Sequence, residues 1–109
     1  MINEVKSESE FQEETKSGIV LVDVFTPPCG PCRQQIRILE SCTDLVKIVK
    51  VNAHELTDLA MDKLGIRAVP TLIWYKNGTE IKRTTGLQSE AEITRTVSEL
   101  SDTPNMEVG

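Results

Sequence analysis

Ile19-Val20-Leu21-Val22-Asp23-Val24-Phe25-Thr26-Pro27-Pro28-Cys29-Gly30-Pro31-Cys32 is the stretch on which the reading of this chain turns. Its first seven residues are β-branched or apolar except for one carboxylate, the composition of a central strand covered on both faces. Two prolines close that run. Ile36, Leu39 and Cys42 then recur at helical spacing, which predicts a helix from the cysteine motif to about Cys42.

The flanking segments extend the pattern in both directions. Ser7 with Glu10 three residues on resembles a capping box and predicts a helix from about Glu8 to Lys16, with Phe11 on its apolar face. Leu45 to Val51 reads as a second buried strand. Leu56, Leu59, Ala60 and Leu64 share one face of a further helix, which Gly65 can end in a left-handed conformation. After a turn at Pro70, Thr71 to Lys76 and Thr79 to Thr85 flank Asn77-Gly78, the pair that supplies the positive φ angles of a tight hairpin. Ser89 and Glu92 form a second capping box, and Ile93, Val97 and Leu100 give the last helix a stripe to lay on the sheet. Such alternation predicts an α/β domain with a mixed sheet and helices on both faces.

At 109 residues the chain suits one domain, 1–109, with a loose tail from about residue 102. Its 39% apolar and 27% charged residues are those of an ordinary globular protein, and a net charge of -5 with no basic patch argues against nucleic acid and anionic membrane as partners. Met1 to Lys6 is polar and acidic rather than basic and then apolar, so a cytoplasmic location is expected. Three cysteines is an odd count for a disulfide framework of the secreted kind.

Cys29 and Cys32 are therefore read for chemistry. Disulfide exchange needs one thiolate to attack and a second thiol close enough to resolve the mixed disulfide. At a helix start, unpaired N–H groups and the positive end of the dipole favour a thiolate on Cys29, which makes it the nucleophile. Cys32, one turn in, becomes the resolving thiol, and Pro31 suits the first turn. Zinc is the lesser competing reading, with Cys29, Cys32, Cys42 and His54 as the ligand set, but Cys42 falls on the apolar stripe, where a free cysteine is usually just a small core residue. Asp23 has two readings as well. A carboxylate within an apolar strand has its pKa raised by desolvation and is a candidate base for the Cys32 proton; otherwise it is an aspartate satisfied by backbone N–H groups.

Val22-Asp23-Val24-Phe25, Cys29-Gly30-Pro31-Cys32, Ile66-Arg67-Ala68-Val69-Pro70-Thr71-Leu72, Lys76-Asn77-Gly78 and Gly86, in this order, closely resemble the thioredoxin family over nearly the whole chain. The resemblance implies the thioredoxin fold, with about five strands, and a protein disulfide reductase working through a Cys29-Cys32 dithiol without metal or other cofactor. It implies disulfide-containing substrate proteins and a thioredoxin-reductase-type electron donor; a monomer is expected. It further implies a cis peptide bond before Pro70, packed against the cysteines. Asp23 matches the family's buried acid and Lys50 the lysine near it; Gly30 and Pro31 complete the motif. Ala68, Val69 and Gly86 match the apolar rim that holds an extended substrate segment. Taken without the family, Lys50 is a snorkelling or edge lysine and Gly86 a turn residue.

The departures from the family are also specific. Thr26-Pro27-Pro28 stands where members carry tryptophan before the first cysteine, Arg37 replaces the helix proline, and the segment from Cys32 to Lys50 is about one helical turn short. A binding subunit on the same fold, or an oxidant or isomerase, are the alternatives to the reductase. Trp74 and Tyr75 read as core and flank, His54 as a polar residue before a helix, and Glu8, Glu10, Glu13 and Glu14 as a solvated face.

Overall fold

Buried on both faces, β2 (Ile19–Phe25) is the middle strand of a five-stranded sheet in the computed structural model, which describes residues 2–102. It pairs in parallel with β3 (Lys47–Asn52) and antiparallel with β4 (Thr71–Lys76). The edges are β1 (Asn3–Glu4), parallel to β3, and β5 (Thr79–Thr85), antiparallel to β4, so the order is β1-β3-β2-β4-β5. The mixed sheet of the sequence reading is thus present. The loose tail expected from about residue 102 lies essentially outside the described residues.

Alternation along β2 divides the core into two. Val20, Val22 and Val24 face Phe11 of α1 (Glu8–Thr15) and Leu59 and Ala60. Leu21, together with Ile48 and Trp74, faces Leu39 of α2 (Gly30–Glu40) and Ile93 of α3 (Glu90–Asp102). Asp23 is two residues along from Leu21 and Lys50 two from Ile48, which puts both on the α2 side of the sheet. Among the described residues no helix is long and apolar enough to cross a membrane.

Both caps hold their helices. Ser7 Oγ accepts the Glu10 N–H at 3.1 Å, but the Glu10 carboxylate turns to the Lys6 N–H and the Asn3 amide instead of completing the box. At α3 the box is reciprocal: Ser89 Oγ accepts the Glu92 N–H and Glu92 Oε1 accepts the Ser89 N–H. Asn77 and Gly78 have φ of 51° and 85°, as the hairpin requires. The turn is also clasped to the start of β2, since Asn77 N–H donates to the Gly18 carbonyl and Gly18 N–H donates to Asn77 Oδ1, each at 2.9 Å.

Four expectations shift. The α2 helix ends at Glu40 instead of about Cys42, through i to i−3 bonds from Ser41 and Cys42 N–H groups. Its buried side chains are Cys32, Gln35 and Leu39, with Ile36 only partly covered. β3 starts at Lys47, and Leu45 is exposed in the turn before it. The helix expected at Leu56 to Leu64 is a π-helical turn, Asp58–Lys63, in which the Leu64 N–H donates to the Leu59 carbonyl five residues back.

Candidate active site

Cys29 caps α2. Its backbone is extended, with φ −81° and ψ 115°, and its sulfur accepts the Cys32 N–H at 3.1 Å. Because Gly30-Pro31-Cys32 opens the helix, that N–H and the positive end of the helix dipole stabilise negative charge on the sulfur. Pro31 lies in the first turn, where its missing N–H loses no hydrogen bond. The two cysteines are joined as a disulfide with Cα atoms 5.2 Å apart. Cys32 is buried, whereas Cys29 is half-buried and presents the accessible sulfur.

A short chain of contacts links this sulfur to two segments distant in sequence. Cys29 Sγ lies 3.9 Å from the Val69 carbonyl oxygen. The Val69–Pro70 peptide bond is cis, as the resemblance implies. The Gly86 N–H donates to the Pro70 carbonyl at 2.8 Å with Gly86 at φ 94°, a conformation that favours glycine. Ala68 is exposed, and Val69 and Gly86 are half-buried.

Beneath it lies Asp23, wholly buried, with neither carboxylate oxygen hydrogen-bonded. Burial pushes its pKa up to about 7, and the positive charge of Lys50 only partly offsets this. Lys50 is the register partner of Asp23 on β3, and its ammonium lies 5.7 Å from the centre of the Phe25 ring. Asp23, Lys50 and Cys32 line one cavity of about 100 Å³ with Phe25, Arg33 and Ile36. A space of that size, lined by both residues, has room for water.

The remaining candidates are elsewhere. Cys42 packs in the core with Leu39, Trp74 and Ile93, its thiol donates to the Ile38 carbonyl, and burial raises its pKa. His54 is exposed, and among the described residues no three His, Cys, Asp or Glu side chains gather as a metal-binding group. The Cys42 and His54 positions therefore do not extend the cysteine pair into a zinc site. Trp74 and Tyr75 are buried, Tyr75 edge-on to Phe11 at 5.7 Å. Glu8, Glu13 and Glu14 form surface ion pairs with Lys63, Lys16 and Lys47.

Two neighbours of the motif escape sequence reasoning. Arg33 Nη1 donates to the Pro27 carbonyl at 3.0 Å, fastening the diproline loop to α2. Gln35 is wholly buried and bonds the backbone of Gln88. Only the helical interval from Cys32 to Gln35 and Leu39 signals that a glutamine here faces inward.

The thioredoxin family model matches residues 2–99. The chain is 37% identical over 101 residues to a thioredoxin of Chlamydia pneumoniae, covering 90% of this chain and 97% of that one. Thioredoxin-2 of Saccharomyces cerevisiae is 33% identical over 96 residues, 84% of this chain and 91% of its own. Among solved structures, a single-site mutant thioredoxin from Halobacterium salinarum superposes with a TM-score of 0.87 at 24% identity, covering 94% and 92% of the two chains. Chloroplastic thioredoxin z gives 0.83 at 25% identity, covering 94% and 96%.

Proposed function

The chain belongs to the thioredoxin family and is a protein thiol–disulfide oxidoreductase, and we propose that it reduces substrate disulfides through Cys29 and Cys32. The Cys29 thiolate attacks one sulfur of the substrate disulfide, forming a mixed disulfide and releasing the first substrate thiolate. Cys32 then gives up its proton and attacks the Cys29 sulfur, which releases the second substrate thiol and leaves Cys29–Cys32 oxidised. Two electrons pass to the substrate. A reductase must return them, and the cysteine pair carries them without any other cofactor.

The observation that carries this reading is the asymmetry of the pair: the accessible sulfur is the one at the helix terminus, and the buried one faces the Asp23 cavity. Asp23 is our candidate for the acceptor of the Cys32 proton, with Lys50 modulating it. Gly30 and Pro31 open the helix that carries the pair. Ala68, Val69, Pro70 and Gly86 would seat the extended substrate segment beside Cys29. Among the described residues the exposed large apolar side chains are Leu45, Met61, Ile81 and Leu87, on separate segments of the chain, which supports a monomer. An unpaired, buried Cys42 fits the reducing cytosol as its compartment.

Insulin reduction in the presence of dithiothreitol tests the activity. Cys29→Ser should abolish it, and a variant as active as the parent would overturn the assignment. The reduction potential measured against glutathione tests the direction, and a strongly oxidising value would make the protein an oxidant instead.

A further inference from the structure

We propose that Gln35 is a positioning residue for substrate docking: its amide locks the Gly86-Leu87-Gln88 segment to the helix that carries the cysteines. The inference rests on the reductase reading and identifies how the docking rim is held. Gln35 lies one helical turn beyond Cys32 and is wholly buried. Its Nε2 donates to the Gln88 carbonyl at 3.0 Å, and its Oε1 accepts the Gln88 N–H at 2.7 Å. One side chain thereby satisfies both polar groups of a backbone unit outside the sheet, in the way a neighbouring strand would.

Two residues before Gln88, the Gly86 N–H is bonded to the Pro70 carbonyl. Pro70 follows Val69, whose carbonyl oxygen is 3.9 Å from Cys29 Sγ. A continuous frame results, running from α2 through Gln35 to Gln88 and Gly86, then through Pro70 and Val69 back to Cys29. Leu87, between the two fastened points, is exposed at the edge of this frame. Gln35 is thus the closure that fixes the second half of the rim relative to the sulfurs. An apolar side chain of equal length would fill the space and leave the Gln88 N–H and C=O unpaired, so the segment would open toward water.

A buried glutamine can also be a purely structural fastening, and the test must tell the two roles apart. Gln35→Met and Gln35→Glu are compared with the parent on insulin and on bis(2-hydroxyethyl) disulfide, a small disulfide that reaches Cys29 without using the rim. Gln35→Met should raise KM for insulin about tenfold, the equivalent of losing one well-placed polar fastening, while kcat, the small-disulfide rate and the reduction potential stay near the parent values. Gln35→Glu keeps the acceptor for the Gln88 N–H and should fall between parent and Gln35→Met; if Gln35→Met does not fold, Gln35→Glu is judged by the same ratio of insulin to small-disulfide rates. Equal loss on both disulfides, or an unchanged insulin KM in a folded variant, overturns the proposal. A parent that fails to reduce insulin would instead overturn the reductase reading beneath it.

Discussion

Asp23 and Lys50 are direct partners across the parallel β2–β3 pair, yet the lysine ammonium lies over the Phe25 ring and neither Asp23 oxygen gains a hydrogen bond. The carboxyl is thus held in the core by the fold against its own preference for water. Its pKa of about 7, against 3.8 without burial, ties stability to pH. Below both values the folded and unfolded chains are both protonated at this residue, and it has no influence on the balance. As pH rises the unfolded chain ionises first and is favoured, so the protein should lose stability from about pH 4 to about pH 7 and then level off. The loss is on the order of a few kcal/mol. Asp23→Asn should remove this slope, and urea melts at pH 4, 6 and 8 would show the gap between variant and parent widening with pH. A constant gap would mean that the carboxylate is charged and solvated in the folded state.

The same residue should set the rate of resolution. With Asp23 ionised, a base faces the cavity that Cys32 also lines. Single-turnover reduction by the parent should therefore speed up as pH passes about 7. In Asp23→Ala the first attack by Cys29 should be unaffected, and decay of the mixed disulfide should slow by about 100-fold, the lower end of what a positioned base contributes. Quenched samples resolved by mass spectrometry would show the mixed disulfide accumulating. Parental decay in this variant would leave Cys32 to lose its proton to solvent.

Cys42, the third cysteine, stands apart from the redox pair. It is fully buried and packed against Leu39 and Trp74, with its pKa raised. Cys42→Ala should retain parental insulin turnover and lose about 1 kcal/mol of stability, the scale of one small buried group. In the folded, reduced parent an alkylating reagent should label Cys29 long before Cys42.

Asn77 offers a test of fold without chemistry. It closes the β4–β5 hairpin with φ 51° and makes both hydrogen bonds to Gly18 described above. Asn77→Ala removes the side-chain acceptor for the Gly18 N–H and places alanine in a left-handed conformation. A loss of roughly 1–2 kcal/mol is expected, with insulin KM and kcat unchanged. Thermal melts alongside turnover would check both halves of that expectation.

Elements with dense local signals were legible in the sequence, and those made by distant contacts were not. β2 declares itself through seven nearly continuous apolar residues, and the hairpin through Asn77-Gly78. β1 is two residues long and has no period of its own; it exists because Ile2 and Val5 bury on either side of it while Asn3 and Glu4 pair with β3. The interval from Leu59 to Leu64 fits a five-residue closure better than a 3.6-residue one, but a short apolar run does not distinguish them. At the site, the cysteine motif and Asp23 stand out by residue type and position. Gln35 does not, since a glutamine on a helix reads as solvent-facing until its partner 53 positions away is known.

Trp74, the only tryptophan, is buried on β4 four residues beyond Pro70, or about 13 Å of extended strand from the disulfide rim. Proline occupies the position beside Cys29 where an indole would have felt the sulfurs directly. Fluorescence of this protein should accordingly monitor unfolding while remaining nearly blind to oxidation. A single optical channel would follow conformational integrity, and the electron inventory of the cysteine pair would have to be counted chemically, by differential alkylation and mass.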